Sequence, residues 1–379
     1  MLRPRSLLLT AAAAMTLVAC DATDVADTAT GPAAADASGG PLPGGAAYVL
    51  SDADGPNQVI AFSRASGGRL ARTGVFDTGG TGSGGDLGAS TDPLALSADG
   101  RLLYAVNRGS DDVSVFLVTA EGLVLRQVVP SGGAGPLSVA VSEDLVYVLN
   151  TGRDGEGGNV AAFSRGRDGS LEALGTADLP DSATGTVQVG FDPALSVALV
   201  SDRPSNTILA FPIQADGTPG EPTVNASVGQ TPFGFDFDDA GRLFVSEAVG
   251  GEAGASTVSG YTLAGTSTTV IPGASAVPTE ETAACWLDAS GSYLYTTNTA
   301  DNTISGFLIA PDGSLSLLNA DGIAATTGNA PRDLNTVGDF VYAQSDGQID
   351  VYEIERGTGA LSPIQTVRVP ATARGVAAR

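Results

Sequence analysis

The chain contains no lysine and no histidine, so all 18 of its basic residues are arginine. Without histidine, an acid or base in any reaction must be Asp, Glu or Tyr, and a cysteine nucleophile would lack its usual activating partner. A zinc site of the usual ligand set is also excluded, because such sites depend on His and Cys. The sequence further lacks a helical hydrophobic period beyond its N-terminus, whereas 51 Gly and 21 Pro interrupt it at short intervals.

Only two cysteines are present, and the first lies in an export signal. Arg3 and Arg5 precede an apolar stretch, residues 7–18, which is too short for a transmembrane helix. The tetrapeptide Leu-Val-Ala-Cys that ends at Cys20 resembles a bacterial lipobox. Residues 1–19 are therefore predicted to be a lipoprotein signal peptide, with Cys20 as the lipidated residue. The protein is expected to be extracytoplasmic and held to a membrane by lipid, on either the periplasmic face or the cell surface.

The next segment, residues 20–45, has the composition of a flexible linker. It is rich in Ala, Gly, Pro and Asp, contains no basic residue and shows no apolar period. A chain of this length reaches about 25 to 30 Å. We expect a disordered acidic tether between the lipid and the folded domain.

The remainder, residues 46–379, repeats one pattern seven times. A large apolar residue opens a short strand, a polar loop follows, and a second strand ends in an aromatic residue. The opening residues are Tyr48, Tyr104, Tyr147, Leu199, Phe244, Tyr295 and Tyr342. Their average spacing of 49 residues is the length of a four-stranded blade, so the sequence predicts an all-β, seven-bladed β-propeller.

The order of strands within the blades follows from the repeat. Innermost strands are predicted near residues 91–97, 136–142, 186–191, 232–237, 282–288 and 330–336. Residues 371–377 resemble the segments that precede other blades, so the C-terminal strand is expected to close the first blade and remove an exposed sheet edge. Two Gly-rich stretches, Gly79 to Gly88 and Val249 to Ala255, are predicted to be loops.

The repeat resembles that of a known family. LYTTNTADNTISGF (294–307) and LYAVNRGSDDVSVF (103–116) are similar to the lactonase-type seven-bladed propellers, which include 6-phosphogluconolactonases and carboxymuconate-lactonising enzymes. TPFGFDFDDAGRLFVSEAVGG (231–251) and ETAACWLDASGSYLYTTN (281–298) most resemble exported bacterial members without an assigned reaction. The resemblance implies the propeller fold and raises the possibility of lactone chemistry.

Three charged residues lie where the enzymes of this family carry charged groups, namely Glu247, Arg332 and Arg108. Lactone opening needs a base to activate water and a cation or donors for the developing oxyanion. The resemblance thus implies Glu247 as the base, with Arg332 or Arg108 beside the oxyanion. Ala284 and Thr299 occupy positions where the enzymes have Glu and Arg, so part of the charged set is missing. Loop capping by Glu247 and structural ion pairs of the arginines are the alternative.

Ligand contacts are expected from Asn107 and Asn298, the asparagines of the repeated motif, and from Trp286. A lone Trp near a central channel can stack on a sugar, although packing is the more common role. Cys285, next to it, is predicted to be a buried core residue. It has no partner for an intrachain disulfide once Cys20 carries lipid.

The spacing Asp52-x-Asp54-Gly55-x-Asn57 resembles the opening of a calcium loop but lacks the distal Glu. An Asp-rich turn is the alternative, and no other metal or cofactor is expected. Without Arg3 and Arg5 the mature chain carries 16 Arg against 42 Asp and Glu, a net charge of −26. A surface this acidic repels nucleic acid.

Two functions of different classes stay open. The first is a lipid-anchored propeller that binds a protein, a glycan or a small carboxylated ligand, favoured by the missing charged groups. The second is a hydrolase or cyclase of a lactone without phosphate, in which Glu247 and Arg332 act. The oligomeric state is open as well.

Overall fold

The computed structural model of the chain describes residues 45–153 and 157–379. In this part of the chain, 30 strands form seven antiparallel sheets, and the one helical element is a 3-10 turn at Val249–Gly251. The fold prediction is confirmed. The predicted signal peptide, Cys20 and the tether up to residue 44 lie outside the described residues. No helix within the described ranges is long and apolar enough to cross a membrane.

Each sheet is one blade, and the strands follow the chain from the central channel to the rim. Three strands of blade 1 come from the N-terminal part of the described chain, namely β1 (Ala46–Leu50), β2 (Gly55–Arg64) and β3 (Leu70–Gly82). Blade 2 contains β4 (Leu94–Leu96), β5 (Leu102–Asn107), β6 (Asp112–Thr119) and β7 (Gly122–Pro130). Blade 3 contains β8 (Pro136–Val141), β9 (Leu145–Asn150), β10 (Asn159–Arg165) and β11 (Leu171–Asp178). Blade 4 contains β12 (Thr186–Phe191), β13 (Val197–Asp202), β14 (Thr207–Pro212) and β15 (Thr223–Ala226).

The last three blades repeat this order, two of them with a short additional strand. Blade 5 contains β16 (Pro232–Phe237), β17 (Leu243–Glu247), β18 (Thr257–Ala264), β19 (Ser267–Val270) and β20 (Val277–Pro278). Blade 6 contains β21 (Ala284–Ser290), β22 (Tyr293–Asn298), β23 (Thr303–Ile309), β24 (Leu315–Leu317) and β25 (Ala325–Thr326). Blade 7 contains β26 (Pro331–Val337), β27 (Phe340–Ser345), β28 (Gln348–Ile354) and β29 (Leu361–Arg368).

The final strand, β30 (Arg374–Ala378), is the innermost strand of blade 1 and closes the ring. It pairs with β1 in antiparallel register, with Tyr48 opposite Ala377. The Arg64 guanidinium adds a hydrogen bond from Nε to the Arg379 carbonyl at 2.8 Å. The predicted closure is confirmed, and neither end of the sheet ring is left as a free inner edge.

The aromatic residues of the repeat are buried and join each blade to the next. The Tyr147 hydroxyl in blade 3 donates to the Gly217 carbonyl in a hairpin of blade 4 at 2.9 Å. Tyr295 in blade 6 makes the same bond to Gly359 of blade 7 at 2.8 Å. A large apolar ring with a polar tip suits this position, because the ring fills the core between blades while the hydroxyl satisfies a turn carbonyl.

The innermost strands are joined around the channel by a second set of bonds, in which a side chain accepts from a backbone amide of the next blade. The accepting side chains and donating amides are Ser138 and Val189, Gln188 and Phe235, Asp236 and Ala289, Asp288 and Thr336, and Asp333 and Val376. Such bonds need an acceptor at the channel-facing position of each strand. As a consequence, three carboxyl groups are enclosed in the channel.

Candidate functional site

In six blades the second strand ends in a polar residue that is buried, and in blade 1 the equivalent residue, Ser51, directly follows β1. We call these seven residues the cap ring: Ser51, Asn107, Asn150, Asp202, Glu247, Asn298 and Ser345. Except for Ser345, whose hydroxyl has no hydrogen-bond partner among the described residues, their side chains bond to polar groups nearby, among them groups of the third strand and of adjacent loops. The cap ring therefore holds the loops at one end of the channel in place.

Asn107 and Asn298, predicted to contact ligand, are members of the cap ring. The Asn107 amide donates to Asp112 Oδ1 at 2.5 Å and to Ser114 Oγ at 2.7 Å. The Asn298 amide makes the equivalent bond to Ser305 Oγ at 2.8 Å. Both side chains are fully buried, so these contacts support a structural role rather than a ligand contact.

Glu247 is the blade 5 member of the same ring. Its side chain is 0% exposed and accepts hydrogen bonds from Ser227 Oγ and the Gly229 amide, at 2.9 and 2.7 Å. The hydroxyls of Thr257 and Ser259 also donate to it, at 2.5 and 2.9 Å. These four donors hold the carboxylate in place and occupy it with hydrogen bonds from the protein itself. None of the described ion pairs brings Glu247 to Arg332 or Arg108, so the geometry gives no support to the proposed base.

The residue after each cap-ring member begins the loop at the same end of its blade. We call these seven residues the mouth ring: Asp52, Arg108, Thr151, Arg203, Ala248, Thr299 and Asp346. Because the repeat fixes their positions, each blade contributes one residue of this ring to the entrance. Two arginines lie on the blade 2 and blade 4 side, and two aspartates lie on the blade 7 and blade 1 side.

Arg332 contacts the acidic side of this ring. Its Nε donates to Asp346 Oδ1 at 2.8 Å, and its Nη1 donates to the Gly88 carbonyl at 3.4 Å. Arg374 lies 3.5 Å from the same Asp346 oxygen. Arg332 is thus at the entrance, but a carboxylate already occupies its guanidinium.

A loop of residues 83–92, which we call the mouth loop, crosses the entrance. Ser90 donates to the Leu137 carbonyl of blade 3, and the Thr91 amide donates to the Val187 carbonyl of blade 4 at 3.1 Å. The Ser90 carbonyl accepts from the Trp286 indole of blade 6 at 2.7 Å. These bonds to separate blades place the loop over the channel axis.

Trp286 lies under the mouth loop and is 2% exposed. Its ring packs edge-on against Phe233, with 5.0 Å between ring centroids. A ligand at the entrance would meet the mouth loop before the indole. The contacts therefore support packing as its role, rather than a stacking platform for a sugar.

Cys285, next to Trp286, is buried and free, as predicted. Burial raises the pKa of its thiol to about 11, although Thr299, Arg203 and Arg332 act in the opposite direction. The thiol is therefore protonated at neutral pH and is a poor nucleophile. The charges of both arginines act on the thiol, so Arg203 and Arg332 both lie near Cys285.

Beside the mouth loop is a cavity of about 250 Å³ between blades 3 and 4. Arg108 and Arg203 line it together with the hydroxyl-bearing Thr151, Thr184 and Thr186. One carboxylate, Asp86 of the mouth loop, also lines it. The cavity thus presents two guanidinium groups and three hydroxyl side chains, a set of donors suited to a carboxylate.

The two arginines differ in their partners. Arg108 Nε lies 3.0 Å from Asp86 Oδ2, and its Nη1 donates to the Gly135 carbonyl at 2.8 Å. Arg203 donates from Nε to the Gly185 carbonyl at 3.1 Å and packs over the Phe233 ring at 5.5 Å. Within the described residues it makes no ion pair, and its Nη atoms make no hydrogen bond. Burial lowers the pKa of Arg203, which reflects the cost of a cation without a carboxylate.

Arg203 was not among the residues predicted from the sequence. The signal was present, because Arg203 follows the second strand of blade 4 as Arg108 follows that of blade 2. The same alignment places Glu247 with Asn107 and Asn298. An alignment of the seven repeats with one another would therefore have identified Arg203 as a site residue and Glu247 as a member of the cap ring.

The calcium-like segment has a structural use in blade 1. The Asp52 carboxylate is buried and accepts from the amides of Ser83, Gly85 and Leu87, at 2.7, 3.1 and 3.3 Å. Asn57 bonds instead to the neighbouring Asn107 at 3.0 Å. Asp52 thus fixes one end of the mouth loop. Among the described residues, no group of three or more Asp, Glu or Cys side chains could hold a metal ion.

Comparison with known proteins points to one family. The family described as Lactonase, 7-bladed beta-propeller matches residues 41–184 and 255–374 of this chain. None of the curated protein sequences matches it. The periplasmic gluconolactonase of Pseudomonas aeruginosa superposes with a TM-score of 0.68 at 17% identity, over 88% of this chain and 99% of that one.

Two further solved structures are similar over the same shares, 88% of this chain and 99% of the other. A provisionally named 6-phosphogluconolactonase of Bacteroides uniformis has a TM-score of 0.70 at 20% identity. A protein of Lactobacillus plantarum has a TM-score of 0.66, also at 20% identity. At such identities these structures establish a common fold and nothing about the reaction.

Proposed function

Because this chain belongs to the lactonase family of seven-bladed β-propellers, we propose that the cavity at its channel entrance binds a small ligand that carries a carboxylate. The observation that carries the proposal concerns Arg203. Its half-buried guanidinium lines the cavity and has no carboxylate partner, whereas Arg108 is paired with Asp86. A ligand carboxylate would supply the missing partner and accept from the free Nη atoms. A cavity of about 250 Å³ suits a ligand of monosaccharide size, since drug-sized ligands occupy about 300 to 1,000 Å³.

The charge of the protein favours local rather than general attraction of such a ligand. The mature chain carries a net charge of −26, so its surface as a whole repels anions. The two mouth-ring arginines that line one cavity make the electrostatic potential locally positive, opposite in sign to that of the surface as a whole. Sugar acids, the products of lactone hydrolysis, are one class of ligand that fits, in keeping with the name of the Pseudomonas relative.

Lactone hydrolysis is the second candidate, and one observation favours it. Asp86 is the one carboxylate among the residues that line the cavity. It could activate a water molecule while Arg203 holds the developing oxyanion. However, Asp86 is already paired with Arg108, and its side chain is 73% exposed, so it projects into solvent rather than into an enclosed site. Binding is therefore the better supported function.

Substitution of Asp86 separates the two functions. If the cavity is a binding site, Asp86→Asn removes a competing carboxylate from Arg108 and should raise the affinity for gluconate several-fold, because Arg108 is released for the ligand. Arg203→Ala should lower that affinity by about 10-fold or more, the effect of one lost charge-assisted hydrogen bond. Isothermal titration calorimetry with gluconate measures both changes.

Two controls complete this experiment. Glu247→Gln should lower the melting temperature and leave gluconate affinity unchanged, since Glu247 belongs to the cap ring and not to the cavity. Gluconolactone hydrolysis should be followed with the same variants in a pH-stat. Turnover by the wild type that disappears in Asp86→Asn would replace binding by catalysis, whereas wild type that binds no gluconate and turns over no lactone would reject both.

We further propose that the protein works at a membrane surface outside the cytoplasm, attached through Cys20. The proposal is supported by the sequence of residues 1–20 and by the periplasmic location in the name of a structural relative. Cys20→Ser should abolish lipidation, because serine cannot form the thioether to the lipid. Metabolic labelling with a fatty-acid probe is the measurement, and label that persists on the variant would contradict the proposal.

A further inference from the structure

The largest cavity described lies at the opposite face of the ring from the mouth loop, between blades 2 and 3, and has a volume of about 510 Å³. Three arginines line it, contributed by the β4–β5 hairpin, by β7 and by the β10–β11 hairpin. They are Arg101, Arg126 and Arg167. All three are exposed, and sequence separation hides their proximity. We call this cavity the arginine pocket.

The arginines of this pocket have no carboxylate partners. Six ion pairs occur among the described residues, and none of them includes Arg101, Arg126 or Arg167. A fourth arginine, Arg165, lies close enough to lower the pKa of the pocket residue Asp99. Four arginines of a chain that has only 18 thus gather without an ion pair at one blade interface.

Blade 5 shows how the same position is neutralised elsewhere. Gly241-Arg242-Leu243 aligns with Gly100-Arg101-Leu102, and Arg242 pairs with Asp238 at 2.6 Å. Blade 2 has Ser97 where blade 5 has Asp238. The exchange of Asp for Ser leaves Arg101 unpaired, and the pocket open for an anion.

Two carboxylates also line the pocket, but each is engaged by its own turn. Asp99 Oδ1 accepts from Ser97 Oγ at 2.6 Å and from the Arg101 amide at 3.0 Å. Asp168 Oδ1 accepts from the hydroxyl and the amide of Ser170, at 2.7 and 3.1 Å. These bonds lower the pKa of both groups, so both remain charged, and the three arginines that line the pocket leave its lining with a net charge of +1.

We propose that the arginine pocket binds a tetrahedral oxyanion, the phosphate or sulfate group of a small ligand. A dianion can be shared by several guanidinium groups, whose fixed forks match its oxygen atoms in pairs. The volume is within the range of small-molecule sites, about 300 to 1,000 Å³. This site is independent of the entrance cavity, since the two have no residue in common.

Titration of the full-length protein with inorganic phosphate at low ionic strength tests the proposal, with sulfate and acetate as separate arms. We expect one phosphate or sulfate site per chain, and binding of acetate that is at least 10-fold weaker. Phosphate bound more tightly than sulfate would indicate a phosphate ester as the ligand, and the reverse order a sulfate ester. Equal binding of acetate, or no binding of either tetrahedral ion at 10 mM, on the order of the weakest specific affinities, would overturn the proposal.

Three variants locate the site. Arg126→Ala should weaken phosphate binding at least 10-fold, the loss of one charge-assisted hydrogen bond. Ser97→Asp, which reproduces the blade 5 ion pair and keeps every arginine, should weaken it to a similar extent. Arg368→Ala removes an exposed arginine from β29 and should have no effect. Equal losses in Arg126→Ala and Arg368→Ala would mean general charge attraction and would also overturn the proposal.

Discussion

Deletion of residues 370–379 is expected to lower the melting temperature of the propeller by roughly 10 °C or more, although this short segment contains a single strand, β30. β30 fills the channel side of blade 1, where Val376 is buried and Ala377 pairs with Tyr48. A buried Val is worth about 1.5 to 3 kcal/mol, and the hydrogen bonds to β1 and blade 7 add to it. The loss should total about 5 kcal/mol and affect the ring as a whole, because two blades lose their neighbour.

Point variants distinguish loss of ring closure from loss of chain length. Val376→Asp places a carboxylate in the interface with blade 7 and should produce a similar fall in melting temperature. Ala371→Asp adds the same charge at an exposed position just before β30 and should change it little. A truncated protein with an unchanged midpoint would contradict the role assigned to β30.

The architecture could be predicted from the sequence because a propeller repeats its own signal. The large apolar residues that open the repeats are buried at blade interfaces. Four of the seven innermost strands begin within one residue of their predicted positions. The largest differences are in blade 2, where β4 begins at Leu94 rather than residue 91, and in blade 1, where β30 begins at Arg374 rather than residue 371. Thr91 belongs instead to the mouth loop, and its amide bonds to Val187 of blade 4. Long-range bonds of that kind leave no mark on local sequence.

The two Gly-rich stretches were also predicted only in part. Strand β3 extends to Gly82, because Gly82 pairs with Gly55, the first residue of β2. Only residues 83–88 of the first stretch are therefore loop. Gly82 has no room for a side chain, since an added Cβ would lie 2.4 Å from the Ala53 carbonyl oxygen. The second stretch is a loop with a single 3-10 turn, as the composition indicated in outline.

The candidate site was less accessible to sequence reasoning, for a physical reason. Resemblance supplied Arg108 and Arg332, which do lie at the entrance, but it also supplied Glu247, which is buried and whose donors lie in blade 5 and in the loop that leads to it from blade 4. The arginine pocket joins arginines from two blades, and the most distant of them, Arg101 and Arg167, are 66 positions apart. Spatial clusters of this kind depend on how blades pack, which the repeat predicts in general but not residue by residue.

The stability of the protein is also expected to depend on pH, because carboxyl groups are enclosed in the channel. The effect should be similar in size to that of deleting residues 370–379. Asp236 and Asp288 share a hydrogen bond between their side chains, so one of them must keep a proton. Asp92 accepts from Gln188 Nε2 at 2.8 Å, and Asp333 accepts from two backbone amides. None of these four aspartates is in an ion pair of the described residues. Burial and mutual repulsion therefore favour their neutral forms.

The direction of the effect follows from these shifts. Burial, together with the charge of Asp236, raises the pKa of Asp92 to about 7, and burial raises the pKa of Asp288 and Asp333 well above the usual range. The folded protein thus binds more protons than the unfolded chain between about pH 4 and pH 7. Its free energy of unfolding should fall as the pH rises through this window, by on the order of 4 kcal/mol for Asp92 alone.

Below this window the opposite trend takes over. Turn hydrogen bonds lower the pKa of exposed aspartates, so their contribution is lost as the pH falls through and below about 4. They are Asp99, Asp168, Asp216 and Asp312, together with Asp339, which is paired with Arg356. The melting temperature should consequently be highest near pH 4 to 5 and fall towards pH 8.

Asp288→Asn tests whether the channel causes this decline. The side-chain oxygen of Asn can still accept from the Thr336 amide, bonded at 2.5 Å in the wild type, and its NH₂ group can replace the proton shared with Asp236. The variant should be more stable than the wild type at pH 8 and should lose melting temperature less steeply between pH 5 and pH 8. Asp239→Asn removes the same charge from an exposed hairpin and controls for the net charge of the chain. Equal slopes in the wild type and in Asp288→Asn would show that the channel carboxyl groups do not titrate in this range, and that general repulsion among the 42 acidic residues accounts for the decline.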